Sequence, residues 1–248
     1  MKRLLIALMF APLALFAADV ELKLDRAPDK TRDMAALQNG AKLFVNYCLN
    51  CHGASYMRYN RLRDIGLSEE QIKDNLLFTG EKVGDTMRIS MQRSDAKEWF
   101  GAAPPDLTLI ARARSSEFGS GADWLYTYMR TFYRDEKRPT GWNNLVFANV
   151  GMPHVLWELQ GQQVAHVVSH NDAHGHAVEY KKLQLATPGK MTPTEYDTAM
   201  ADLVSFLVYM GEPVAETRKQ IGILVLVALA VVFVLAYLLK REFWKDVH

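Results

Sequence analysis

The 248-residue chain contains two cysteines, two residues apart, with a histidine directly after the second: Cys48-Leu49-Asn50-Cys51-His52. Thiolates are nucleophiles and soft metal ligands, so chemistry is sought first in this pentad. A gap of this size suits a disulfide or a zinc half-site. A structural zinc site needs four ligands, and there is no second cysteine pair to supply them. A thioredoxin-like redox pair would follow a strand in a βαβ setting, whereas the residues before Cys48 read as helix. What remains is Cys-x-x-Cys-His, the attachment pattern of c-type haem. Each thiol forms a thioether to a vinyl group, which brings the adjacent imidazole under the iron as proximal ligand. One such motif implies one covalent haem c.

An electron-transfer haem held by histidine commonly takes methionine on its opposite face, and eleven methionines compete for that place. Met1 and Met9 lie in the N-terminal apolar block, and Met34 and Met57 flank the haem motif. Met129, Met200 and Met210 fall in helical patterns that suit a core role. Met87, Met91, Met152 and Met191 remain in segments without clear periodicity, and Met191 directly precedes a helix start. Met152 stands in Val150-Gly151-Met152-Pro153. Glycine lets the backbone approach closely, and proline stiffens the loop that presents the thioether. Met152 is therefore the leading candidate, and a buried core methionine is the alternative.

Elements must position these groups. Leu37, Ala41, Phe44 and Cys48 recur at steps of four, three and four, one apolar stripe of a helix that ends on the motif. Gly40 lies beside that stripe, useful if a second helix crosses closely. Thr192-Pro193-Thr194-Glu195 reads as a capping box with proline at the first helical position. Tyr196, Met200, Leu203, Leu207 and Met210 then mark one face of a helix that Gly211 and Pro213 end. Ser68-Glu69-Glu70-Gln71 opens a further helix to about Phe78, and Gly80 to Ser94 reads as loop. The fold class is mainly α: a cytochrome c-type haem domain with long loop insertions and one C-terminal transmembrane helix.

The ends of the chain differ from its middle. Met1-Lys2-Arg3, an apolar run from Leu4 to Phe16 and Ala17-Ala18 make a signal peptide over residues 1–18. Ile221 to Leu239 carries no charge and covers roughly 28 Å as a helix, close to the hydrocarbon thickness of a bilayer. The expected division is a haem domain over 19–215, a membrane helix over 216–240 (core 221–239) and a tail over 241–248. The signal peptide puts the haem domain outside the cytoplasm and the tail inside. Lys and Arg total 29 against 28 for Asp and Glu, so there is no basic surplus for nucleic acid.

Four segments in order resemble cytochrome c1 of the quinol:cytochrome c oxidoreductase (bc1) complex. They are Cys48–His52 followed by Tyr56-Met57-Arg58-Tyr59-Asn60-Arg61-Leu62; Ala103-Pro104-Pro105-Asp106-Leu107; Ala111-Arg112-Ala113-Arg114; and Gly151-Met152-Pro153. Glu212-Pro213 before a single C-terminal anchor is similar too. The resemblance implies that Met152 is the axial ligand and that Arg114 contacts a haem propionate, with Arg112 the lesser candidate. It aligns Trp124 with a family tyrosine near the propionates; tryptophan can donate one hydrogen bond but cannot ionise. It also implies that Pro104-Pro105 packs along the haem edge, a plain turn before an Asp106–Arg114 helix being the alternative.

The same resemblance implies a bacterial inner-membrane protein, anchored in the lipid by one span, with its haem domain in the periplasm. Its haem would take electrons from the Rieske iron–sulfur protein and pass them to a cytochrome c, beside cytochrome b in a dimeric complex. With both axial positions filled it is an electron relay, and quinol oxidation belongs to its partners. The rivals are a free-standing tethered cytochrome, a haem enzyme with an open distal position, and a metal module built on His166, His170, His174 and His176. The fourfold spacing of the first three histidines suits a helix, but Ser169-His170-Asn171-Asp172-Ala173-His174-Gly175 is polar and turn-like, so a solvated loop or hairpin is expected there.

Overall fold

The computed structural model describes residues 23–171 and 177–246, with backbone alone for 170–171 and 177–179. The expected signal peptide, His174 and His176 lie outside the described residues.

The stripe before the haem motif forms helix α1 (Met34–Leu43), capped by the Asp33 carboxylate on the amide of Ala36. Leu37, Ala41, Phe44 and Cys48 are all buried. The capping box at Thr192 opens α7 (Pro193–Gly211), whose Glu195 side chain accepts from the Thr192 amide at 2.8 Å. The two helices cross at Gly40. A Cβ there would lie 2.3 Å from the Asp202 carbonyl oxygen and 2.6 Å from the Cβ of Phe206, so only glycine allows this approach. Asp202 is held by Lys30 (2.7 Å) and Asn39 (2.8 Å).

Between these helices the chain forms short elements. Strand β1 (Ala54–Arg58) pairs antiparallel with β2 (Thr86–Met87). A 3₁₀ segment covers Tyr59–Ile65, and α2 (Glu69–Asn75) follows with the expected Ser68–Gln71 capping box. It stops short of Phe78, because Leu76 leaves helical geometry and the Asn75 side chain takes the Gln71 carbonyl. Next come α3 (Arg93–Phe100), α4 (Ile110–Ala113) and α5 (Gly121–Arg130). The stretch read as loop over Gly80 to Ser94 thus contains one short strand and the start of a helix. Met87 within it is fully buried, a core methionine.

Beyond α5, β3 (Phe132–Arg134) pairs with β4 (Trp142–Asn144). A one-turn α6 (Trp157–Gln160) leads into the long hairpin of β5 (Gly161–Asn171) and β6 (Ala177–Pro188). The hairpin, not a helix, carries His166 and His170, and none of the described residues form a cluster able to hold a metal ion. Its base is tied to β3 by Gln163 on the Phe132 carbonyl (2.9 Å) and Lys181 on the Tyr133 hydroxyl (2.8 Å).

The extended segment before α1 lies on α5 and α7. The Asp25 amide donates to Thr127 (2.8 Å) and the Ala27 amide to Asp123 (2.7 Å). Arg130 joins Asp25 and Asp197, at 2.7 and 2.6 Å. After α7 comes α8 (Ala215–Phe243), with mean hydropathy 3.1 in its most apolar stretch and no buried residue. At about 1.5 Å per residue it is long enough to cross a bilayer.

Candidate haem site

The coil of α1 continues as a π-helical turn over Phe44–Cys48, in which the Leu49 amide reaches the Phe44 carbonyl at 3.0 Å. A π turn takes in an extra residue and re-aims the chain that follows. The amides of Cys51 and His52 both return to the Cys48 carbonyl, at 3.1 and 2.8 Å, which makes the pentad a compact turn at the helix end. Both cysteines are free, Cys48 buried and Cys51 partly exposed. Burial, with Cys51 alongside, pushes the Cys48 thiol up to about 12; burial also raises Cys51.

His52 is fixed from the opposite segment. Its Nδ1 stands 2.7 Å from the Pro105 carbonyl oxygen. A carbonyl can only accept, so Nδ1 carries the proton and the Nε2 lone pair is left for a metal. Burial lowers the imidazole pKa, against the opposing pull of the Pro105 hydrogen bond and the Asp106 charge, and so favours the neutral form that ligates. The Pro105 loop is in turn held by Asp106, whose carboxylate accepts from the Ser55 amide (2.7 Å) and the Thr108 amide (2.9 Å). The Leu107 amide donates to the Gly53 carbonyl at 2.8 Å. These bonds hold residues 106–109 out of the expected helix, which begins only at Ile110. Pro105 thus contributes its carbonyl to the His52 imidazole.

The Met152 loop is built on two asparagines of β4. Asn143 Oδ1 accepts from the Asn149 amide at 2.9 Å, and Asn144 Oδ1 accepts from the amides of Val146 and Phe147. Asn149 sits at φ +62°, a left-handed conformation that asparagine tolerates. Arg138 donates to its carbonyl at 2.8 Å. Met152 itself is half-buried, and the Tyr128 hydroxyl donates to its Sδ at 3.4 Å.

A column of side chains leads away from that sulfur. The Tyr128 ring stacks on Trp124 at 4.8 Å and 14°, and the Arg114 guanidinium lies 4.5 Å from the Trp124 ring centroid. Arg114 pairs with no carboxylate among the described residues, whereas Arg112 faces Glu212 at 3.3 Å. Burial pushes Tyr128 well above the usual phenol range, with Arg114 pulling the other way. Met152, Tyr128, Trp124 and Arg114 therefore form one contiguous set, and Cys48, Cys51, His52 and Pro105 another. Both border a single hydrophobic cluster that includes Cys48 and Tyr128 and against which Met152 and Trp124 pack.

The donor set fits a c-type haem: two free thiols, a neutral imidazole with one free lone pair, a half-buried thioether and an unpaired guanidinium suited to a carboxylate. Sequence reading missed Tyr128, Asn143 and Asn144, and it missed the bonds by which Asp106 holds the Pro105 loop. The polar pair Asn143-Asn144, beside aromatic Trp142 and shortly before Gly151-Met152, was the available signal.

A haem-binding head followed by one long apolar helix defines the class: a membrane-anchored c-type cytochrome. The profile of the Cytochrome C1 family matches residues 26–247, and the chain belongs to that family. It is 50% identical over 247 residues to the ammonia monooxygenase gamma subunit of Nitrosomonas europaea, covering all of this chain and 98% of that protein. Against cytochrome c1 of Allochromatium vinosum it is 47% identical over 251 residues, covering both chains completely. Cytochrome b/c1 of Bradyrhizobium diazoefficiens is 28% identical over 250 residues, which is 87% of this chain and 34% of that one. The protein is thus an electron-transfer subunit of a bc1 complex, membrane-anchored, carrying one covalent haem c and associated with cytochrome b and the Rieske protein.

Proposed function

We propose that Cys48 and Cys51 form the two thioether links to the haem, that His52 Nε2 and Met152 Sδ are its axial ligands, and that Arg114 pairs with a propionate. The haem supplies the one-electron couple; the protein holds it, excludes water and sets its potential. The observation that carries this reading is the His52–Pro105 bond at 2.7 Å, which commits Nδ1 and frees Nε2 beside two unpaired thiols. Pro105 is then a positioning residue for the proximal imidazole. With haem bound, His52 and Met152 would both hold its iron, which would leave it to relay electrons and not to bind oxygen or substrate. Electrons enter from the Rieske protein and leave to a cytochrome c.

The basic, apolar and small-residue pattern of residues 1–18 supports export of the head, 19–215, into a bacterial periplasm. It also supports a single span over 216–240 in the inner-membrane lipid, with the tail 241–248 in the cytoplasm. The relative named cytochrome b/c1 supports close apposition to cytochrome b, and membership of the family supports a dimeric complex.

Mass spectrometry of the mature chain should show the added mass of one haem, and alkaline pyridine spectra the two-thioether type. Met152→Leu should open the iron to carbon monoxide. Rapid carbon monoxide binding by the unaltered protein would refute Met152 as ligand. Isolation in mild detergent without any b-type haem would refute the assembly.

A further inference from the structure

Tyr128 stands beside the proposed ligand for a reason that packing alone does not supply. It is 8% exposed, its ring is clasped between Trp124 (4.8 Å, stacked) and Phe132 (5.0 Å, edge-on), and its hydroxyl points at Met152 Sδ from 3.4 Å. Its backbone is fixed as well, since Asn144 Nδ2 donates to the Tyr128 carbonyl at 2.7 Å. The β4 asparagine that holds the Tyr128 backbone thus also folds the Met152 loop. A thioether is a weak acceptor, yet the sulfur is the one partner that the hydroxyl has among the described residues.

We propose that Tyr128 is a positioning residue for the electron-transfer centre, whose hydroxyl, by donating to Met152 Sδ, makes the sulfur a poorer donor to iron and so holds the haem potential up. This rests on Met152 being the axial ligand. A hydrogen bond on the sulfur draws off electron density that the ferric ion needs more than the ferrous ion, so it favours the reduced state; hydrogen bonding around the first ligands is one of the levers that set haem potentials. The bond also restrains the thioether within a loop held by side chains rather than by a helix.

The test is a redox titration of the intact, detergent-solubilised chain and of Tyr128→Phe, which keeps the ring and its stacking. The expected result is a ferric-to-ferrous ratio raised roughly three- to tenfold at fixed applied potential, the change that one ordinary hydrogen bond supports; the upper end is a fall of 59 mV for one electron. The far-red charge-transfer band of sulfur-ligated ferric haem should persist in the variant. Ring-fluorinated tyrosine at position 128, a stronger donor of the same shape, should move the potential upward, and it covers the case in which Tyr128→Phe does not fold. An unchanged potential with the band intact in either variant would overturn the proposal. Absence of that band from the unaltered protein would instead remove Met152 as ligand, a failure of the earlier reading recognisable by itself.

Discussion

Replacing Gly40 by alanine tests whether the crossing of α1 and α7 is as close as described. In an exposed helix this change stabilises by about 1 kcal/mol, because alanine is the better helix former. Here the added Cβ would stand 2.3 Å from the Asp202 carbonyl oxygen, where ordinary contact begins at 3.4 Å. The shortfall is about 1 Å, and the group on the other side is backbone, not a yielding side-chain tip. Relief requires parting the two helices, and overpacking of that kind costs roughly 1–3 kcal/mol. With the propensity gain set against the upper part of that range, the net effect is a destabilisation of roughly 1–2 kcal/mol. Because α1 runs directly into Cys48, the displacement should also weaken the haem site. Thermal denaturation of the detergent-solubilised holoprotein, followed by helical circular dichroism, reads the loss as roughly 2–4 °C per kcal/mol. A Gly40→Ala protein more stable than its parent would show that the helices do not touch there.

Three further outcomes follow from the same packing. Tyr196 is fully buried with its hydroxyl on the Met129 carbonyl at 2.9 Å, and burial holds its pKa well above 10. Since the unfolded phenol ionises near pH 10 and the folded one does not, stability should fall above that pH by about 1.4 kcal/mol per unit, and Tyr196→Phe should flatten the fall in alkaline urea titrations. Asp106→Ala should cost about 1–3 kcal/mol by releasing the Ser55 and Thr108 amides, and should broaden the His52 imidazole signals in NMR of the ferrous protein. Replacing residues 168–180 of the hairpin by a two-residue turn should leave covalent haem content and visible spectrum unchanged, because Gln163 and Lys181, which tie the hairpin to β3, both lie outside the replaced segment.

What the sequence revealed was local. The Thr192 box spans four residues and the stripe from Leu37 to Cys48 needs only helical periodicity; both were read correctly because no distant partner was needed. Gly40 was suspected on the same ground. The helix expected over Asp106–Arg114 failed because the Asp106 carboxylate captures the Ser55 and Thr108 amides, and the Ser55 bond spans 51 residues. The spacing of four between the histidines suits a helix, but the polar, turn-like segment 169–175 pointed to a loop or hairpin, and the pairing of β5 with β6 puts His166 and His170 in a hairpin. Tyr128 went unread because its spacing to Met152, 24 residues, has no periodic meaning until β4 folds the loop back.

The first described residues fasten onto the last part of the head: Lys30 reaches Asp202 and Ser205 across 172 and 175 positions, and α1 lies against α7 at Gly40. A chain made from its N-terminus can therefore not seal this head until α7 has emerged. Closure of the head thus waits on contacts that lie far apart in the chain, the kind that slows folding.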